Sequence, residues 1–119
     1  MIAVIFEVKP KPGRKDAYLG AAADLKSLLE TMDGFISVER FESLTEPGKF
    51  LSLSFWRDEE AVAGWRNTEA HRRTQDAGRR SIFEDYRLRV AAVLRDYGMN
   101  DRAEAPADSR AVHDGKAPR

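Results

Sequence analysis

Three side chains in the second half of the sequence have the types and spacing to form a small reaction site. His71 and Gln75 lie four residues apart, so on a helix both would point from the same face, and Trp65 lies just before them. An imidazole titrates near neutral pH and can accept a phenolic proton, while an indole ring can hold a flat molecule by stacking. The pattern indicates proton abstraction from a small aromatic molecule, with His71 and Trp65 as catalytic candidates and Gln75 as a substrate-binding candidate.

Each of these residues also has a purely structural interpretation. Trp65 could close the hydrophobic core, His71 could be a solvated residue of a basic helix end, and Gln75 could be structural. Tyr86, on the last predicted strand, is a further substrate-binding candidate through its hydroxyl, although an aromatic residue on a strand is more often part of the packing. The sequence leaves both interpretations open for all four residues.

Other chemistries lack their signatures in the sequence. There is no cysteine, which excludes disulfides, thiolate nucleophiles and iron–sulfur clusters. A glycine-rich phosphate loop, paired histidines at metal-ligand spacing, a nucleophile elbow and a flavin or nicotinamide fingerprint are also missing. Any oxidation would therefore have to draw electrons from the substrate itself, which favours phenols and quinols. We expect no cofactor and no metal.

The charge balance argues against nucleic-acid and membrane partners. The 119 residues carry 20 basic and 20 acidic side chains, so no overall field attracts nucleic acid or an anionic membrane. No apolar run approaches the roughly 18 residues of a membrane helix. The apolar start at residues 1–8 has no preceding basic residue and is too short for a signal peptide. We expect a cytoplasmic protein.

Hydrophobic periodicity predicts the elements that position these side chains. Strand-like segments lie at residues 2–8, 35–41, 49–56 and 86–97. Apolar residues at three- and four-residue steps predict a helix from residue 14 to about residue 33, and a helical pair follows between residue 58 and residue 82 or 83. The order strand, helix, strand, strand, helical pair, strand predicts an α+β domain of the ferredoxin-like β-α-β-β-α-β type.

The predicted sheet is apolar on both faces, but the helices cover only one of them. Because monomers rarely expose an apolar face of that size, we expect a homodimer. After Gly98 the composition changes to alanine, aspartate, arginine and proline with few large apolar residues. Residues 1–98 are therefore predicted to form the domain, and residues 99–119 to form a flexible tail or a loose arm over a partner.

Several segments resemble the antibiotic biosynthesis monooxygenase family. The resemblance is carried by Trp56-Arg57-Asp58-Glu59-Glu60-Ala61, Trp65-Arg66, His71-Arg72, Gln75 and Asp85-Tyr86-Arg87-Leu88-Arg89-Val90-Ala91. It covers residues 1–98 and implies a dimeric α/β barrel in which two sheets close against each other. It also implies one of three activities, namely cofactor-independent oxygenation of aromatic molecules, oxidation of quinols, or oxygen-dependent haem breakdown.

Three hypotheses for the function follow. The first is a cofactor-independent monooxygenase-like protein that oxidises a small aromatic, phenolic or quinol-type molecule with O2. The second is a haem-binding or haem-degrading monooxygenase with His71 as the iron ligand. Against haem, the histidine of haem-degrading relatives matches Gln75 here, and their first-strand asparagine is replaced by Ile5 or Phe6. The third is a non-catalytic small-ligand-binding or stress-associated dimer.

Overall fold

A computed structural model describes residues 1–115 as a four-stranded sheet with helices packed on one face. The strands are β1 (Ile2–Pro10), β2 (Phe35–Glu42), β3 (Phe50–Trp56) and β4 (Phe83–Ala92). Their order across the sheet is β2-β3-β1-β4, and all neighbours are antiparallel. The helices are α1 (Lys15–Glu30), α2 (Glu59–Arg66), α3 (Glu69–Ala77) and α4 (Ala107–His113), and a π-helical turn at Gly78–Ile82 links α3 to β4. The predicted α+β, ferredoxin-like arrangement is confirmed.

The helix α1 buries one stripe of its surface against the sheet. Tyr18, Ala22 and Leu29 are buried, and their spacing of four and seven residues places them on the same face. The helix ends at Thr31, whose hydroxyl donates to the Leu28 carbonyl at 2.7 Å. The stripe predicted from periodicity is therefore the side of α1 that faces the core.

The helices α2 and α3 are separate because each begins with its own side-chain cap. The Asp58 carboxylate accepts from the Ala61 amide at 2.8 Å, and the Thr68 hydroxyl accepts from the His71 amide at 3.2 Å. Asn67 ends α2, as the sequence predicts. The second cap fixes the first turn of α3 and thereby the backbone of His71.

Buried apolar residues form two clusters between the sheet and the helices. One cluster contains Val8, Tyr18, Phe50 and Ile82, and the other contains Leu29, Trp56, Ala61 and Val62. Trp56 is only 1% exposed, and its indole N–H donates to Ser54 Oγ at 3.0 Å. The helix-facing positions of β1 and β3 therefore supply the sheet side of both clusters, and α1, α2 and the π-helical turn supply the rest.

The alternation of strand faces has an exception at the start of β2. The pairing of β2 with β3 shifts between Phe35 and Ser37. Simple alternation places these two residues on the same face, but the extra residue Ile36 in the bulge reverses that assignment. Phe35 lies on the helix side, where its ring centroid is 5.3 Å from that of Trp56.

The strand β4 starts and ends earlier than the predicted residues 86–97. Its partner β1 starts at Ile2, which pairs with Ala92, and the Val93 amide donates to the Met1 carbonyl at 3.0 Å. The pairing of β4 with β1 ends at Ala92, and Leu94 is 82% exposed although the sequence continues to alternate.

The segment after β4 contains hydrogen bonds made by two arginine side chains. It contains α4, and Arg102 donates to Asp114 at 3.0 Å while Arg110 donates to three backbone carbonyls that precede α4. These guanidinium hydrogen bonds connect α4 and the residue after it to the segment that precedes α4. The radius of gyration is 17.4 Å, against about 13.5 Å for a compact chain of this length. Residues 116–119 of the predicted tail lie outside the described residues.

Candidate active site

A cavity of about 300 Å³ lies between the helices and the sheet. Its wall includes all four residues selected from the sequence, which are Trp65, His71, Gln75 and Tyr86. The structure therefore brings together side chains from α2, α3 and β4. A cavity of this size suits a small-molecule ligand.

The imidazole of His71 is oriented by a backbone carbonyl. Its Nδ1 lies 3.3 Å from the carbonyl oxygen of Arg66, and since a carbonyl can only accept, the neutral ring carries its proton on Nδ1. The lone pair of Nε2 then remains for another partner. Burial lowers the pKa of His71; the Arg66 carbonyl opposes this shift, and the charges of Arg72 and Arg66 reinforce it. The side chain is therefore a neutral base at pH 7.

The indole of Trp65 lies between this base and the core. Its ring centroid is 5.2 Å from that of His71, and it is 6.5 Å from that of Trp56 with the planes only 29° apart. Trp65 thus packs against the core, as the structural interpretation predicts, and also faces the base, as the catalytic interpretation requires. The two interpretations are compatible because an indole has two faces and an edge.

Tyr86 reaches the cavity from β4 with its hydroxyl already bonded. Arg79 Nη1 donates to the Tyr86 hydroxyl at 2.6 Å, which leaves the phenolic proton to be donated elsewhere. The Tyr86 ring also packs against Phe6, with centroids 5.5 Å apart. Gln75 lies one turn after His71 on the same wall, and its amide can both donate and accept.

The structure adds two cavity residues that the sequence analysis missed as site residues. Tyr18 on α1 and Arg40 on β2 line the same cavity. The Tyr18 hydroxyl and the Arg40 Nε are shielded from solvent and have no hydrogen-bond partner within residues 1–115. Burial raises the pKa of Tyr18, although the neighbouring Arg40 guanidinium acts in the opposite direction, so the hydroxyl stays protonated. One feature of the sequence could have identified Arg40 as a site residue. It lies two positions after Val38, so on a strand both side chains point to the same face, which here is the helix-facing side.

Among the described residues of the cavity wall, His71 is the one imidazole that could bind a metal. Within residues 1–115, no group of three or more histidine, aspartate or glutamate side chains is placed to hold a metal ion. His71 Nε2 could bind the iron of a haem, because a carbonyl on Nδ1 is a common arrangement for a ligating imidazole.

Sequence comparisons identify relatives over most of the chain. The antibiotic biosynthesis monooxygenase family matches residues 1–77, a segment that includes Trp65, His71 and Gln75. Jasmonate monooxygenase ABM of Pyricularia oryzae is 46% identical over 101 residues, which are 85% of this chain and 47% of that protein. The chain thus spans about half the length of that relative. The uncharacterized protein YqjZ of Bacillus subtilis is 31% identical over 93 residues, which are 78% of this chain and 79% of that protein.

Solved structures share the fold at low sequence identity. Rv0793 from Mycobacterium tuberculosis gives a TM-score of 0.73 at 18% identity and covers 82% of this chain and 98% of that chain. PA3566 from Pseudomonas aeruginosa gives a TM-score of 0.69 at 17% identity and covers 78% of this chain and 93% of that chain. These likenesses establish the fold alone, since identities this low carry no information about the reaction.

Proposed function

The chain belongs to the antibiotic biosynthesis monooxygenase family, and we propose that it oxidises a small aromatic, phenolic or quinol-type molecule with O2. The observation that carries the proposal is the neutral imidazole of His71, which borders a mainly apolar and aromatic cavity. Its Nδ1 is the nitrogen that contacts the Arg66 carbonyl, so the lone pair of Nε2 remains for a substrate proton. Such a cavity can hold a flat ring while the base removes a proton from it.

The reaction starts with transfer of the substrate's phenolic proton to Nε2 of His71. The phenolate that results is a much better electron donor to O2 than the neutral phenol. For a phenol with an unsubstituted para carbon, one oxygen atom of O2 becomes the new carbonyl of a para-quinone and the other leaves as water. All four electrons that reduce O2 come from the substrate in this scheme. For a quinol, two electrons and two protons pass to O2 and give the quinone and hydrogen peroxide.

The other candidate residues hold the ring in place. Trp65 supplies the aromatic surface beside the base, with its centroid 5.2 Å from that of His71. Tyr86 donates its phenolic proton to a polar group of the substrate, since its oxygen already accepts from Arg79. Gln75 supplies an amide on the same wall. We propose that this chemistry needs no cofactor, because the substrate supplies the electrons.

The name of one relative adds a candidate substrate. The Pyricularia oryzae protein is called jasmonate monooxygenase, and about half of that protein matches this chain. Jasmonate is a small cyclic acid without a phenolic group, so its hydroxylation would take two further electrons from an added reductant. We therefore include jasmonate beside phenols and quinols, and the assay is run with and without NADH or NADPH.

Oxygen consumption by the purified chain tests the proposed function. We expect saturable uptake with at least one phenol or quinol of a panel, together with stoichiometric quinone formation. The proposal would be contradicted if oxygen uptake equalled the protein-free rate with every phenol and quinol of the panel and with jasmonate. Tight binding without turnover would instead favour the non-catalytic ligand-binding hypothesis. A parallel haemin titration is expected to stay flat, and a saturable Soret band that is lost in His71→Ala would favour haem degradation.

We further propose that the chain forms a homodimer through the sheet face opposite the helices. That face carries apolar side chains on the two central strands, where Ile5 pairs with Leu53 and Ala3 pairs with Phe55. An apolar sheet face requires a second layer to cover it. Sedimentation equilibrium at micromolar concentration is expected to give a dimer, and Leu53→Glu is expected to give a monomer. A wild-type monomer under these conditions would contradict the proposal.

We propose a cytoplasmic location, which a chain without cysteine suits because that compartment is reducing. Within residues 1–115, the helices are too short or too polar to cross a membrane. The cavity is the surface that we assign to the ligand, and we propose no nucleic-acid or membrane partner.

A further inference from the structure

The cavity wall carries cationic side chains that the proposed role of His71 does not use. The described wall includes Lys26, Arg40 and Arg66, of which Lys26 pairs with Glu30 at 3.9 Å. None of the described residues that line the cavity is an aspartate or a glutamate. A mainly apolar cavity with only positive formal charges on its wall favours an anionic ligand over a neutral one.

Arg40 is the cation most closely built into this cavity. It lies on the helix-facing side of β2 and pairs with Ser52 of β3, which in turn pairs with Phe6 of β1. Its Nε is shielded from solvent and has no hydrogen-bond partner within residues 1–115. By contrast, Arg57 on the surface pairs with Asp33 at 3.1 Å. A shielded guanidinium N–H without an acceptor is unfavourable in the empty protein.

Tyr18 places a second donor in the same cavity. Its hydroxyl is also shielded and without a partner within residues 1–115, and its neighbour Arg40 has no lone pair to offer. This part of the cavity therefore presents a hydroxyl and a guanidinium N–H that have no hydrogen-bond partner within residues 1–115. A ligand that brings acceptor oxygens would satisfy both donors at once.

We propose that the cavity binds a small organic carboxylate, with Arg40 and Tyr18 donating to the carboxylate oxygens and the apolar body of the acid lying against Trp65. The planar fork of a guanidinium matches the two oxygens of a carboxylate. Arg40 and Tyr18 are binding residues in this assignment, and His71 remains the base. This inference names the substrate class of the proposed reaction and rests on that function for its biological meaning, although binding itself needs no turnover.

The fluorescence of the protein's own tryptophans can report ligand binding in the cavity. The chain has two tryptophans, Trp56 and Trp65, and both line the cavity. Their fluorescence is titrated with two matched pairs, 3-phenylpropanoate against 3-phenylpropanamide and cyclohexylacetate against cyclohexylacetamide. Each pair differs in charge and hardly in shape. We expect each acid to bind about tenfold or more tightly than its amide, which is the effect of one charge-assisted hydrogen bond.

Variants assign that preference to the proposed residues. Arg40→Gln and Tyr18→Phe are expected to weaken binding of the acids and to leave binding of the amides nearly unchanged. Arg14→Gln removes an equal charge from an exposed position outside the cavity and is expected to keep the preference. His71→Gln is also expected to keep it, because the base does not hold the carboxylate.

Several results would overturn the inference. These are equal affinity for acid and amide in the wild-type chain, no saturable change with any of the four probes, or an unchanged preference in Arg40→Gln. Inorganic phosphate that displaces the acids at lower concentration than they bind would identify a phosphate site instead. Thermal unfolding without ligand adds a second readout. Arg40→Gln is expected to melt at the same or a higher temperature, and a clearly lower one would make Arg40 a structural residue.

The two proposals can fail independently. Acid preference without oxidation of any substrate would leave a carboxylate-binding module and would overturn the proposed reaction. Oxidation of phenols without acid preference would overturn only the carboxylate site.

Discussion

Replacing His71 with glutamine is expected to lower kcat for the best phenol or quinol by about 100- to 10,000-fold, the usual contribution of a general base. Glutamine fills much of the same space, but its amide does not take up a proton near pH 7. The Michaelis constant is expected to change little, since the Trp65 surface and the rest of the wall remain. Oxygen uptake and quinone absorbance measure both constants.

The chain offers a matched control for this variant. His113 is its only other histidine and lies on α4, outside the cavity wall. His113→Gln is therefore expected to keep the wild-type rate. Equal losses in the two variants, or none in His71→Gln, would contradict the assignment of the base.

The pH dependence of kcat gives an independent signature of His71. The base works only when neutral, so the rate falls as the pH drops through its pKa. Because burial lowers that pKa from the ordinary value of 6.5, the falling limb is expected below pH 6.5. The residual activity of His71→Gln is expected to lack this limb. A wild-type limb centred above pH 6.5 would contradict the buried, neutral imidazole.

Replacing Gly34 with alanine is expected to lower the free energy of unfolding by about 2–5 kcal/mol, from the cost of left-handed backbone and of overpacking. Its φ is +82°, and an added Cβ would lie 2.5 Å from the Cβ of Ala61. Ala61 is buried at the start of α2, the helix that carries Trp65. The variant is therefore expected to displace the aromatic wall as well as to weaken the fold. Urea denaturation measures the first effect, and the near-ultraviolet circular dichroism of the tryptophans reports the second.

Replacing Gly48 with alanine measures the cost of left-handed backbone without the cost of overpacking. Its φ is +88°, and an added Cβ would have no heavy atom within 4 Å. Gly48→Ala is expected to lower the free energy of unfolding by about 1–2 kcal/mol, the backbone cost alone. Both variants are compared at one protein concentration, because the stability of the homodimer that we propose would depend on it. Equal losses in the two variants would show that Gly34 has no close packing requirement.

Local patterns were enough to predict the order of the elements. The alternation of Phe50, Ser52, Ser54 and Trp56 against the intervening residues is visible in the sequence and matches the core-facing side of β3. The three- and four-residue steps of α1 identify its buried stripe in the same way. These features depend on neighbours only a few residues apart, so periodicity and capping chemistry report them directly.

The composition of one wall of the site was also predictable. His71 and Gln75 share a helix face because they are four residues apart, and both line the cavity. Trp65 was identified, but the sequence could not show that one indole contacts both Trp56 and the base. That double contact depends on the break at Asn67, which sets how α2 and α3 meet.

Only the tertiary structure showed that Tyr18 and Arg40 line the same cavity. Tyr18 and Arg40 are 22 positions apart by their numbers and belong to different elements, and sheet register together with helix packing brings them to one cavity. In the sequence, Tyr18 is one more member of an apolar stripe. Hydrophobic periodicity shows which face a residue occupies, but it does not show whether a polar atom on that face finds a partner.

The start of β2 and the end of β4 both depart from simple alternation for the same physical reason. Phe35 changes face because of a bulge, and Leu94 lies outside the sheet because the pairing of β4 with β1 ends at Ala92. Both outcomes depend on hydrogen-bond partners on a neighbouring strand. A strand's own residues carry its alternation, whereas its register and its length are properties of the pair.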